Sequence, residues 1–383
     1  MDSSKYVPRA VERYAFDASL TGRHMVFLAG PRQVGKTLLA RRWLEKRRCP
    51  KLYYNWDDPS VRRAYLADSR FFESPARTSG VRDPWIVFDE IHKRRRWKDI
   101  LKGAFDVFGG DFRFLVTGSA RLDLFRKAGD SLAGRFSMFH MMPLSIGEVT
   151  RRIPASCFLE EREPGRMAGA FERQLAGVRA AGSRDAFEAL WRFGPFPEPF
   201  LRQGERFSRK WHLDYVGLIV RHEMKDLTRI VELDRIEQLL FLLPSRLMSP
   251  LSMPGLARDL EVAHTTVKAW LEALRGLYMI FPVAPWSRKV ARGLRKEKKW
   301  YFLDWVYAPE GPPRLENMVA SCLHRACSAL TDMGHGTFAL HYARTLEKRE
   351  IDFIVSSDGR PILAVEVKSG DISLSRTLRE RHG

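Results

Sequence analysis

The stretch HMVFLAGPRQVGKTLLARRWL, residues 24–44, decides how the chain is read. A short apolar run, His24 to Ala29, predicts a buried strand, and Leu38, Leu39, Trp43 and Leu44 set an apolar face on the helix after it. Between them Gly30, Pro31, Arg32, Gln33, Val34, Gly35, Lys36 and Thr37 fit the pattern GxxxxGK(S/T). The two glycines let the backbone wrap so that its N–H groups face phosphate oxygens at a helix N-terminus. Lys36 is placed to reach the β- and γ-phosphates of ATP, and the Thr37 hydroxyl to ligate Mg2+. The candidate nucleotide-binding stretch thus runs from Gly30 through Leu38.

Further along, PWIVFDEIHK is an apolar strand, Trp85 to Phe88, ending in Asp89 and Glu90. At the carboxyl end of a parallel strand such a pair lands beside the phosphate loop. Asp89 is then a candidate for the Mg2+ shell, and Glu90 for the base that orients and activates water. A third buried run, FRFLVTGSA, puts Thr117 and Ser119 at a strand tip, where either hydroxyl could sense the γ-phosphate; Ser119 is the preferred candidate. KLYYNWDD and MFHMMPLS supply two more strands. In SLAGRFSMF, Arg135 is a candidate arginine finger for a neighbouring subunit's site, the alternative being an ordinary surface arginine. A homo-oligomer follows if it works in trans.

Together these features resemble an AAA-type P-loop ATPase domain over residues 1–150. More narrowly, GPRQVGKT, DEIHK, TGSA and the LAGRF…PLS segment resemble one prokaryotic family of AAA ATPases. That resemblance implies a winged-helix segment and a C-terminal domain of uncharacterised function after the ATPase. One departure is the run Lys93-Arg94-Arg95-Arg96-Trp97-Lys98 behind the acidic pair. It is either an anion contact or a solvated helix start.

Composition bounds the partners. With 383 residues the chain exceeds one compact core, and no apolar run approaches the ~20 residues that cross a bilayer. The N-terminus lacks the layout of a secretory signal. Cys49, Cys157, Cys322 and Cys327 have no paired CxxC spacing, so reduced thiols in a cytoplasmic protein are expected. A formal net charge of +19 favours polyanions, chiefly nucleic acid, with DNA ahead of RNA.

Residues 151–245 read as a helical linker or lid, with RFGPFPEPF a rigid turn docked on a core. In residues 246–308, Leu256, Ala257 and Leu260 mark one short helix and Val267, Trp270, Leu271 and Leu274 the inward face of a second. This is helix-turn-helix spacing. Two strand-like ends then flank a loop with Arg288, Lys289, Arg292, Arg295, Lys296, Lys298 and Lys299. A basic hairpin after a helix-turn-helix predicts a winged helix whose wing meets phosphate; a protein-packing module is the alternative.

The last segment, 309–383, contains REIDFIVSSDGRPILAVEVKSG at residues 349–370. Glu366 and Lys368 lie two apart on a predicted strand and share a face; a hairpin brings Asp352 near it. With Glu316 from the preceding helix, this suits a second Mg2+ or Mn2+ site in which Glu316, Asp352 and Glu366 hold the metal and Lys368 steers water. The arrangement resembles the PD-(D/E)xK nuclease core, although the chain ends 15 residues after Lys368, short of the usual helix and strand. The alternative is a small α/β cap whose charges form a salt-bridge cluster.

The expected architecture is therefore α/β: an ATPase domain, a winged helix and a restriction-endonuclease-like domain. The expected function is Mg-dependent ATP hydrolysis coupled to DNA binding and metal-dependent cleavage or remodelling. The rival is a nucleotide-dependent switch or signalling ATPase with an inactive nuclease-like domain.

Overall fold

The computed structural model describes residues 6–118, 122, 132–153, 156–161, 163–179, 183–224, 232–287, 297–344 and 350–370. The chain forms two compact units, residues 8–142 and residues 143–383 with 1–7. Among the described residues no helix is long and apolar enough to cross a membrane.

The first unit is built on a five-stranded parallel sheet: β1 (Met25–Ala29), β2 (Tyr53–Asn55), β3 (Trp85–Asp89), β4 (Arg113–Thr117) and β5 (Phe136–His140), in the order β2-β3-β4-β1-β5. Every residue of β1 and β3 is buried, which explains why both read as unbroken apolar runs rather than alternating ones. Helix α1 (Lys36–Lys46) buries Leu39, Ala40 and Leu44, while α2 (Trp97–Phe108) buries Trp97, Leu101, Ala104 and Phe108. Leu38 and Trp43 are only half-buried. The order matters for chemistry: β4 is inserted between β1 and β3, and its register places Thr117 opposite both Leu28 and Asp89.

The second unit opens with helices. The proline-rich segment expected as a turn forms a short helix, Pro197–Arg202, with Phe196 at its N-cap; Phe196 and Phe200 are buried, and Phe196 packs on Trp211 and Tyr215 of α3 (Glu205–Leu218). His212 of α3 pairs with Asp304 at 3.0 Å, both buried. Helices α4 (Met253–Asp259) and α5 (His264–Gly276) follow, and the inward residues of α5 are Val267, Trp270, Leu271 and Leu274.

After them comes a second five-stranded sheet, β6 (Ile280–Pro285), β7 (Lys299–Phe302), β8 (Phe338–Arg344), β9 (Glu350–Ser357) and β10 (Arg360–Val365), ordered β10-β9-β8-β6-β7. β6 and β7 are antiparallel as a wing requires, but β6 also pairs parallel with β8 through Ala284 and Pro285. The boundary drawn at residue 308 therefore falls inside one sheet. Its cause is the apolar character of these strands: all four residues of β7 are buried, Lys299 included. Lys299 is withdrawn from the basic surface to which its sequence neighbours assigned it. Arg288, Lys289, Arg292, Arg295 and Lys296 lie outside the described residues.

β7 is an edge strand, and a side chain closes part of its edge. The buried Asn317 amide of helix α6 (Pro312–Asp332) accepts from Phe302 N–H at 2.9 Å and donates to Phe302 C=O at 2.7 Å, doing what a peptide of a further strand would do.

Candidate active site

The loop after β1 is shaped by backbone that only certain residues tolerate. Gly30 has φ +141, and a Cβ there would run into the backbone carbonyl of Met141. Gly35, at φ +99, turns the chain into α1. Pro31 and Val34 are buried anchors; Gln33 is exposed at φ 60. Lys36 is buried, and its Nζ donates to the loop's own carbonyls, Gly30 O at 2.9 Å and Pro31 O at 2.6 Å. That draws its charge across the loop's mouth.

Asp89, at the carboxyl end of β3, is a buried carboxylate that accepts from three hydroxyls. Thr37 Oγ1 donates to Oδ2 at 2.8 Å, Tyr53 OH also donates to Oδ2, and Thr117 Oγ1 donates to Oδ1. Burial, and then the Asp89 charge, push the Tyr53 phenol well above its ordinary range, so it stays a donor. Thr117, and not only Asp89, is thus committed within the site; Ser119 lies outside the described residues.

Glu90 is held at φ 57, a left-handed backbone uncommon for a non-glycine residue, with its N–H on Thr117 O at 3.0 Å. The Glu90 side chain lies beside an imidazole and an ammonium group. His92 Nε2 stands 3.6 Å from it and Lys93 Nζ 3.5 Å. Burial pushes the Glu90 carboxyl up and the Asp89 charge adds to this, while Lys93, Lys36 and Arg32 oppose it. Its Oε2 is buried and accepts no hydrogen bond among the described residues. A carboxylate made more basic and left with a free lone pair is suited to take a proton from water. Gly118 is required close by, since a Cβ there would press on His92 Nδ1 and on the Leu122 side chain, each at 2.8 Å.

Two contributors carry no local sequence signal. Tyr53 reaches Asp89 from β2. Arg9, buried, donates to Val34 O at 2.7 Å and to Met142 O, bracing the loop from behind. Arg135 is placed differently from the rest. It enters β5 at the amino end of the sheet, opposite the phosphate loop, and its Nε bonds Asp106 Oδ1 at 2.6 Å within the same unit.

The Thr37 hydroxyl and Asp89 carboxylate, already within 2.8 Å, are oxygen donors of the kind Mg2+ takes together with substrate phosphates, so this pair fits the ion. The C-terminal acids do not fit a second one. Glu316 accepts from Tyr301 OH at 2.7 Å and faces Lys299 Nζ at 3.6 Å; Lys299 also pairs with Glu350. Asp352 Oδ2 accepts from Val367 N–H at 2.8 Å, which takes that N–H out of the ladder, and β10 ends at Val365. Glu366 and Lys368, expected on that strand, lie beyond its end with 3.8 Å between their charges. Among the described residues no group of three or more acids, histidines or cysteines is placed to hold a metal. Burial raises the pKa of both Glu316 and Asp352, opposed by Lys299 and by the bonds they accept. The residues expected as a metal set, Glu316, Asp352 and Glu366 with Lys368, are thus divided between a buried Lys299 that pairs with Glu316 and Glu350 and a separate Glu366–Lys368 pair.

Residues 22–150 match the family model described as an AAA domain, and residues 184–305 match one described as a domain of unknown function. The uncharacterized protein Rv2008c of Mycobacterium tuberculosis is 25% identical over 366 residues, 93% of this chain and 73% of that protein. The uncharacterized protein MJ1637 of Methanocaldococcus jannaschii is 25% identical over 298 residues, 73% of this chain and 61% of that protein. Among solved structures, the Orc1 protein of Aeropyrum pernix, in complex with DNA, aligns over 78% of this chain and 91% of its own, at 16% identity and a TM-score of 0.30.

Proposed function

We propose that this chain, whose residues 22–150 form an AAA-type P-loop ATPase domain, hydrolyses ATP with Mg2+ and couples hydrolysis to nucleic-acid binding. The observation that carries the reading is the Thr37–Asp89 hydrogen bond beside the half-buried Glu90. Residues Gly30 to Leu38 would hold the phosphates, with Lys36 leaving its loop carbonyls for the β- and γ-oxygens. Thr37 and Asp89 would hold Mg2+, which neutralises charge on the phosphate oxygens. Glu90 would orient the attacking water and take its proton. Thr117 keeps Asp89 aimed.

Nucleic acid, DNA before RNA, is supported by the net charge of +19 and by the basic residues between β6 and β7. A winged-helix role for α4, α5 and that loop belongs to this proposal. The C-terminal network is read as structural, because its central lysine is buried against Glu316 and Glu350. Plasmid DNA should therefore stay intact with Mg2+ or Mn2+; nicking by the wild type that Lys368→Ala abolishes overturns that part. Lys36→Ala and Glu90→Gln should each abolish ATPase turnover, and retained hydrolysis in both refutes the assignment.

A further inference from the structure

Four arginines surround a cavity of about 550 Å3 on the first unit: Arg70, Arg94, Arg95 and Arg96. Asp99 is the acid in its wall, and it already pairs with Arg96 at 2.8 Å. Arg70 and Arg94 instead lie over aromatic rings, Phe108 at 5.7 Å and Tyr65 at 5.6 Å. Arg94 Nε is buried and donates no hydrogen bond, and no carboxylate pairs with Arg70, Arg94 or Arg95 among the described residues. The cavity therefore concentrates positive charge that Asp99 offsets only at Arg96, in a concave wall where Phe72 and Phe108 are buried and the Tyr65 ring is half-buried.

This has a cost the fold did not need to bear. Arg70, Arg95 and Arg96 are exposed around the cavity, and a cluster built for stability alone would contain as many acids as bases. Arg96 moreover sits at φ 59, a conformation a non-glycine residue adopts only when its surroundings hold it. Planar guanidinium forks match phosphate bidentately, and the half-buried Tyr65 ring beside Arg94 suits an unstacked base.

We propose that this cavity binds the phosphodiester backbone of a single-stranded nucleic acid, within the ATPase unit itself and apart from the basic loop between β6 and β7. The proposal rests on the nucleic-acid part of the reading above and adds a second contact to it. The site begins four residues after Glu90: Ile91–Lys93 form a short 3-10 turn whose Lys93 faces Glu90, and Arg94 follows directly. A strand bound here lies one turn of chain from the hydrolytic base.

The test is fluorescence anisotropy of a labelled single-stranded DNA oligonucleotide across a salt series. It compares the wild type, Arg94→Glu/Arg95→Glu and the charge-matched control Arg173→Glu/Arg179→Glu on a helix of the second unit. Loss of two phosphate contacts should weaken binding at least tenfold and flatten the plot of log K against log salt by about 1.4. The control should keep most of the affinity. Should the double variant melt early, the exposed Arg95→Ala carries the same comparison, with a slope change of about 0.7. Affinity and slope in the arginine variants equal to the control's overturn the cavity site while leaving nucleic-acid binding standing. A wild type that binds no oligonucleotide even at low salt overturns both. Polyglutamate bound more tightly than the oligonucleotide at equal ionic strength overturns the nucleic-acid assignment in favour of an acidic peptide.

Discussion

Thr37 and Asp89, 52 residues apart in sequence, are joined by a 2.8 Å hydrogen bond from Oγ1 to Oδ2. The bond exists because β3 delivers Asp89 to the same end of the sheet from which β1 launches the phosphate loop. The same carboxylate also takes the Tyr53 and Thr117 hydroxyls, so its orientation is over-determined. Tyr53→Phe removes one of these supports without touching nucleotide. Loss of an outer support of this type lowers metal affinity roughly 10-fold or more. The Mg2+ concentration for half-maximal ATPase should rise by about that factor in Tyr53→Phe, with kcat at saturating Mg2+ little changed. An unaltered Mg2+ dependence sinks this role.

Glu90→Gln separates catalysis from stability. Loss of a general base costs about 10²–10⁴ in turnover, while ATP binding should persist because no phosphate contact is removed. Stability should move the other way. Burial raises the folded pKa of Glu90 above its unfolded value, near 4.3. Its contribution is fully present below that value and is lost as pH rises through the folded pKa. Glutamine has no charge to bury, so the variant should melt above the wild type at pH 7 to 8, with the gap closing near pH 4. Melting curves at three pH values decide it; a variant that melts lower at neutral pH contradicts the buried-carboxylate account.

Lys93 restrains that same pKa from 3.5 Å. Removing its charge in Lys93→Ala lets burial act more fully, so Glu90 should hold its proton to higher pH. The acidic limb of the ATPase pH profile should shift alkaline, while the plateau rate above it changes less. The limb is read from kcat against pH, and a limb that stays in place removes Lys93 from the site.

What the sequence disclosed and what it hid follow one physical line. The phosphate loop was legible because every requirement it meets is local: an apolar strand, two glycines at positive φ, and an amphipathic helix within 21 residues. Strands β3 and β4 were legible as continuous apolar runs. Tyr53 and Arg9 were not, since each acts on residues 25 or more positions away and nothing beside it marks the role. Lys299 was misread because it closes a run of basic residues. The period-two rule held the correction: Lys299 and Tyr301 share a face, the one that meets Glu316. In the C-terminal segment the Tyr301 and Lys299 contacts that occupy Glu316 depend on how α6 packs on β7, which no hairpin pattern encodes.

Lys299→Met tests the ion network that replaces the expected metal site. Lys299 is buried between Glu316 and Glu350, and its removal leaves carboxylates in a poorly solvated place without their cation. Breaking a buried pair in this way costs about 3–5 kcal/mol at neutral pH. The pH dependence is the discriminating part. Burial has already raised the folded pKa values of Glu316 and Asp352, and Lys299 opposes both shifts. Without it they rise further, so more stability is lost between pH 4 and 7 than in the wild type. Near pH 4 the two acids hold their protons in the folded state and the deficit should shrink. Denaturant melts of wild type and variant from pH 4 to 7.5 give that difference directly, and a deficit constant across the range would falsify the network.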